Sequence, residues 1–105
     1  MTRLEKLQAF LVTDPTDSFT RYCIGLEYRG MKDHLTAIKT LEELRTADPH
    51  YLPLYYQLAD CYRQIGNNES AAMIYNQGIH EAKASNDLHT LSELQAAYEE
   101  LEEEE

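Results

Sequence analysis

The chain has 105 residues, 43% hydrophobic and 27% charged, with nine Lys and Arg against nineteen Asp and Glu for a net charge of −10. That length fits one small domain. No apolar run approaches the roughly 18 residues that cross a bilayer, and there is no basic footprint of the kind nucleic acids require. Six of the acids fall in the last seven residues, EELEEEE, so the remainder, with thirteen acids and nine bases, is only mildly acidic.

The first segment, MTRLEKLQAFLV, is charged and amphipathic and lacks the apolar core of a secretory signal. With no targeting segment, the expected location is cytoplasmic. Thr2-x-x-Glu5 reads as a capping box opening a helix over 2–12. Apolar spacing then predicts helices over 18–30, 34–46, 52–65, 68–84 and 87–101. Gly30, Gly66-Asn67-Asn68 and Asn86-Asp87 supply the breakers and N-caps between them. Connections this short imply antiparallel neighbours. Four glutamates in a row oppose the dipole at a helix C-terminus, so residues 102–105 are expected to form a disordered acidic tail.

A period underlies these helices. Asp14-Pro15 recurs as Asp48-Pro49, an offset of 34. The same shift sets Tyr22 on Tyr56, Ile24 on Leu58, Gly25 on Ala59, Tyr28 on Tyr62, Arg29 on Arg63 and Ala37 on Ala71. Gly25, Ala59, Ala37 and Ala71 are small enough for helix backbones to approach closely, with Tyr28 and Tyr62 filling the space beside them. One helix pair cannot bury its apolar face alone, so such units stack and share a core.

Ile24-Gly25-x-x-Tyr28, then Ala37-x-x-x-Leu41 and Pro49, resembles the tetratricopeptide repeat signature, and Tyr55-x-x-Leu58-Ala59-x-x-Tyr62 with Ala71-x-x-x-Tyr75 resembles it again. Three positions depart from the pattern: Arg21 replaces a large aromatic, Lys32 a common glycine, and Lys83 a proline. The resemblance implies an all-α fold, a right-handed superhelical stack of antiparallel helix pairs (an α-solenoid) with a C-terminal capping helix. It divides a single domain, 1–101, into a half repeat (1–15), two repeats (18–51 and 52–85) and the capping helix (86–101).

Cys23 and Cys61 read as free thiols, and the four histidines show no ligand spacing, so no metal and no cofactor are expected. No phosphate loop, nucleophile elbow or His-Glu-x-x-His occurs, which argues against an enzyme. What remains is binding. In the family that the chain resembles, the first helix of each unit lines a concave groove that holds peptides. The matching stripe here is Phe19, Tyr22, Leu26 and Arg29, then Pro53, Tyr56, Asp60 and Arg63, with Asp87, Thr90, Leu94 and Ala97 expected on the last helix. Tyr and Arg are both common binding hot spots. Relatives that clamp the acidic tails of heat-shock chaperones carry Lys and Asn along these helices. Tyr22, Leu26, Tyr56 and Asp60 stand there instead, pointing to a more apolar peptide. The expected function is a non-enzymatic protein–protein interaction module. The alternative is a structural self-associating module that forms a homodimer through exposed stack ends such as Leu88, Leu91 and Leu94, and the expected state is a monomer or a weak homodimer.

Overall fold

The structure, a computed structural model, describes residues 1–104. Among them are six α-helices and no strand: α1 (Arg3–Thr13), α2 (Ser18–Gly30), α3 (His34–Ala47), α4 (Pro53–Gln64), α5 (Asn68–Ala84) and α6 (Leu88–Glu104). Each expected helix is present, with ends shifted by at most three residues. The chain divides into two compact units, Met1–Leu54 and Tyr55–Glu105.

In the first unit, α1 packs on α2 and α2 on α3. The capping box at Thr2 forms: its side chain accepts from the Glu5 N–H, and Glu5 accepts from the Thr2 N–H. The α2–α3 pair runs antiparallel. Ser18, at the start of α2, donates to the Asp48 carboxylate at 2.6 Å, and Gly25 lies against Leu41 midway. A Cβ on Gly25 would come within 2.7 Å of the Leu41 side chain, which is why a residue without one stands there. Leu41 and Leu44 are fully buried.

In the second unit, α4 meets α5 in the same sense. Tyr55, at the start of α4, lies over Gly78, and Arg63, at its end, reaches Tyr75. α5 packs on α6, where Leu94 also touches Gly78. Tyr55, Leu58, Ala59, Ala71 and Tyr75 form the fully buried centre of this unit.

Three turns share one mechanism. Lys32 (φ 65°), Gly66 (φ 80°) and Asn86 (φ 58°) adopt the left-handed conformation that ends a helix. The next residue closes back five positions: Asp33 N–H to the Tyr28 carbonyl, Asn67 to Tyr62, Asp87 to Ala82. The same Asp33, Asn67 and Asp87 then cap the following helix, their side chains accepting from the N–H of Thr36, Ser70 and Thr90. Lys32 therefore holds the backbone that Gly66 holds one period later.

One expectation is corrected. Residues 102–104 continue α6 as a helix and do not form a disordered tail. The unfavourable end charge is offset locally, because Arg63 ion-pairs with Glu104 and, at 3.5 Å, with Glu100. Glu105 lies outside the described residues.

Candidate functional site

The α2 stripe falls in the first unit. Phe19 is 63% exposed and sits beside α1. Tyr22, Leu26 and Arg29 follow at one-turn spacing, each partly exposed. The Tyr22 ring packs on Tyr51, with centroids 5.6 Å apart. Burial raises the pKa of Tyr51, so its hydroxyl stays neutral.

The α4 stripe falls in the second unit. Tyr56, 40% exposed, meets Tyr75 edge to face at 6.4 Å. Asp60 is half-buried one turn on, and Pro53, where the stripe begins, is exposed. Arg63 is engaged within its own unit: its side chain is 15% exposed, and it donates to the Tyr75 hydroxyl at 3.5 Å as well as to Glu104. Its pKa is raised, chiefly by the Tyr75 hydrogen bond. Burial raises that of Tyr75, against the pull of the neighbouring guanidinium. Arg63 thus ties α4, α5 and α6 together.

The stripe expected on α6 is corrected. Leu94 and Ala97 are buried, and Asp87 caps the helix by accepting from the Thr90 N–H and hydroxyl. The cause is length. α5 has 17 residues where α3 has 14, so the period lengthens before α6. Leu91-x-x-Leu94-x-x-x-Tyr98 takes up the spacing of Tyr55, Leu58 and Tyr62, an offset of 36. Two residues turn a helix face by about 200°. At the new offset the stripe becomes His89, Ser92, Ala96 and Glu99, all of them exposed. Leu94 likewise cannot serve as an exposed stack end.

Two clefts in the first unit were not foreseen. One, of about 320 Å³, lies among α1, α2 and α3, with Arg21, Tyr28, Thr36 and Lys39 in its wall. Arg21, which stands where the repeat signature has a large aromatic, donates from Nε (3.1 Å) and Nη2 (2.8 Å) to the Pro15 carbonyl. The other, of about 360 Å³, lies between α1 and the start of α2. Leu7, Phe10 and Phe19 form its apolar walls, with Arg3 and Lys6 beside them. Among the described residues, no group of three or more His, Cys, Asp or Glu is placed to hold a metal ion, and no helix is long and apolar enough to cross a membrane. Both cysteines are free thiols.

With this geometry in view, a family model described as Tetratricopeptide repeat matches residues 28–102. The chain belongs to the tetratricopeptide repeat family. Its fold is accordingly of the all-α helical solenoid type. A tetratricopeptide repeat domain protein from Salinibacter ruber, solved in solution, is 36% identical, with a TM-score of 0.83 over 88% of this chain and 93% of that one. A protein from Bordetella parapertussis is 22% identical, with a TM-score of 0.87 over 99% and 90%. PcrH, crystallised in complex with the chaperone binding region of PopD, is 16% identical, with a TM-score of 0.88 over 96% and 77%. A search of curated proteins finds no match.

Proposed function

We propose that this tetratricopeptide repeat protein is a non-enzymatic interaction module that holds a peptide segment of a partner protein along its first helices. The observation that carries the reading is the pair of exposed aromatics, Phe19 on α2 and Tyr56 on α4, on stripes that continue through Tyr22, Leu26 and Arg29 and through Asp60 and Arg63. An exposed ring gives a partner a large, rigid contact. Membership in a family whose members hold peptides adds support, as does the likeness to PcrH, whose structure contains a bound segment of PopD. The repeat division (1–15, 18–51, 52–85, 86–101) is part of the proposal. So is a cytoplasmic location.

Because Arg63 is built into the packing of its unit, the variant that tests this reading is Phe19→Ala with Tyr56→Ala. Affinity capture from the native lysate, read by mass spectrometry, is expected to return a partner with the wild type. The double variant should lose it by at least about tenfold, with its melting temperature little changed. Equal capture by both proteins would sink the groove reading.

A further inference from the structure

The offset of 34 sets one helix crossing of the first unit against its counterpart in the second. In the second unit that crossing is closed: Tyr55 is fully buried, and Gln77 donates from Nε2 to its hydroxyl at 3.4 Å. In the first unit the same two positions hold Arg21 and Glu43. Opposite charges placed where side chains meet one period later would be expected to pair. They do not. Arg21 gives Nε and Nη2 to the Pro15 carbonyl, and among the described residues no ion pair joins Arg21 or Lys39 to Glu43.

Both residues instead line the cleft of about 320 Å³ among α1, α2 and α3, where Leu11 and Ile24 add apolar wall. Lys39 lines it too, one turn before Glu43 on α3, and its counterpart one period later is Met73. Three charges therefore surround this space, at positions that hold Tyr55, Met73 and Gln77 in the second unit. A ring at Arg21 would bury more apolar surface and fill the gap. The first unit forgoes that filling and surrounds the gap with charge of both signs.

We propose that this cleft binds a free α-amino acid with an apolar side chain, its carboxylate held by Arg21 and Lys39, its ammonium by Glu43, and its side chain against Leu11 and Ile24. The Pro15 carbonyl fixes the plane of the Arg21 guanidinium, so the Nη1 amino group is offered to a carboxylate with little further ordering. The charges select the ligand. A carboxylate without an ammonium would leave Glu43 as a like charge beside it, and an amine without a carboxylate would meet two cations; a zwitterion satisfies both signs. The volume is at the low end of the roughly 300–1,000 Å³ of small-molecule sites, which suits a single amino acid. Helical spacing puts Arg21 and Ile24 on a different face of α2 from Tyr22, Leu26 and Arg29, so this site is separate from the groove and does not depend on it.

The probe is L-leucine, with isocaproate, which lacks the ammonium, and isoamylamine, which lacks the carboxylate, as controls. In amide NMR titrations L-leucine is expected to shift signals of α2 and α3 with a dissociation constant near 1 mM, and each control should bind at least about fivefold more weakly. Arg21→Tyr gives the first unit the ring of the second. It should abolish binding with a melting temperature no lower than wild type. Glu43→Gln, at an exposed position, should leave the melting temperature unchanged and reduce L-leucine to the affinity of isocaproate. Lys39→Met should weaken L-leucine and isocaproate alike, by about threefold. The absence of any shift with L-leucine up to about 20 mM overturns the proposal. So does isocaproate binding the wild type as tightly as L-leucine, or a Glu43→Gln protein whose affinity for L-leucine is unchanged.

Discussion

The two units share a period of 34 residues but distribute their bulk differently. Shifting by 34 sets Arg21 on Tyr55 and Leu44 on Gly78. In the second unit the large ring is on the first helix and the missing side chain on the second: Tyr55 is fully buried over Gly78. In the first unit the second helix carries the bulk, as buried Leu44, while Arg21 sends its guanidinium out to the Pro15 carbonyl and leaves a cleft. The period preserves where helices cross; which helix fills the crossing is exchangeable, because packing depends on the total volume at a contact more than on its source.

The strongest way to break that comparison is to transplant the pair. Tyr55→Arg alone removes a buried ring and introduces a charge, for a cost of about 3 kcal/mol or more. Gly78→Leu alone drives a side chain into Tyr55 and should cost about as much. If bulk is exchanged within one contact, the double variant will be more stable than the sum of the singles predicts, by about 1 kcal/mol or more in urea melts. Strict additivity would show that the two positions vary independently.

The two helical glycines sharpen the same point with a smaller change. A Cβ at Gly78 would stand 2.7 Å from the Cβ of Tyr55 and 3.0 Å from Leu94. The nearer contact cannot give way, since a Tyr Cβ is fixed to its backbone, while the Leu94 contact is an outer Cδ1. At Gly25 the atoms in the way are Cδ2 and Cγ of Leu41, which stand further from their backbone than a Tyr Cβ and can yield more. Gly78→Ala is therefore expected to cost about 2–3 kcal/mol, and Gly25→Ala about 1. Equal losses would mean that the first unit is packed as rigidly as the second.

Arg63 marks a further difference. It donates to the Tyr75 hydroxyl, and one period earlier the position of Tyr75 is held by Leu41, which has no hydroxyl to offer. Arg63→Gln should lower stability by about 1 kcal/mol, because the glutamates it pairs with are largely exposed and screened. Part of that loss should disappear in 1 M salt, where the Debye length falls to about 3 Å. A loss that does not change with salt would assign the whole effect to Tyr75.

Much of this was legible in the sequence, for identifiable reasons. Asp14-Pro15 and Asp48-Pro49 revealed the period, and small residues at Gly25, Ala59, Ala37 and Ala71 marked the crossings. The caps at Thr2, Asn67 and Asp87 could be read because capping chemistry is local. The face of α6 could not, because it depends on the length of α5: two extra residues in the period move every later side chain around the helix. Gly78 escaped notice for a related reason. Its partner, Tyr55, lies 23 residues away, and no local pattern ties a glycine to a ring that distant. The role of Arg63 was likewise hidden, since Glu100 and Glu104 looked like a solvated run until α6 brought them beside it.

The smallest expected effect concerns the turns. Lys32 stands in the left-handed region, at φ 65°, at the position that Gly66 holds one period later at φ 80°. A side chain there costs roughly 1–2 kcal/mol, and glycine returns part of that as greater freedom of the unfolded chain. Lys32→Gly should therefore stabilise by only about 0.5 kcal/mol, a few degrees in the melting temperature. Asn86→Gly should change almost nothing, because asparagine tolerates the left-handed region. Gly66→Lys should destabilise by about 1 kcal/mol. If Lys32→Gly proved destabilising instead, the lysine side chain would have to contribute more through its own contacts than its backbone costs, and the two turns would differ in more than the residue that closes them.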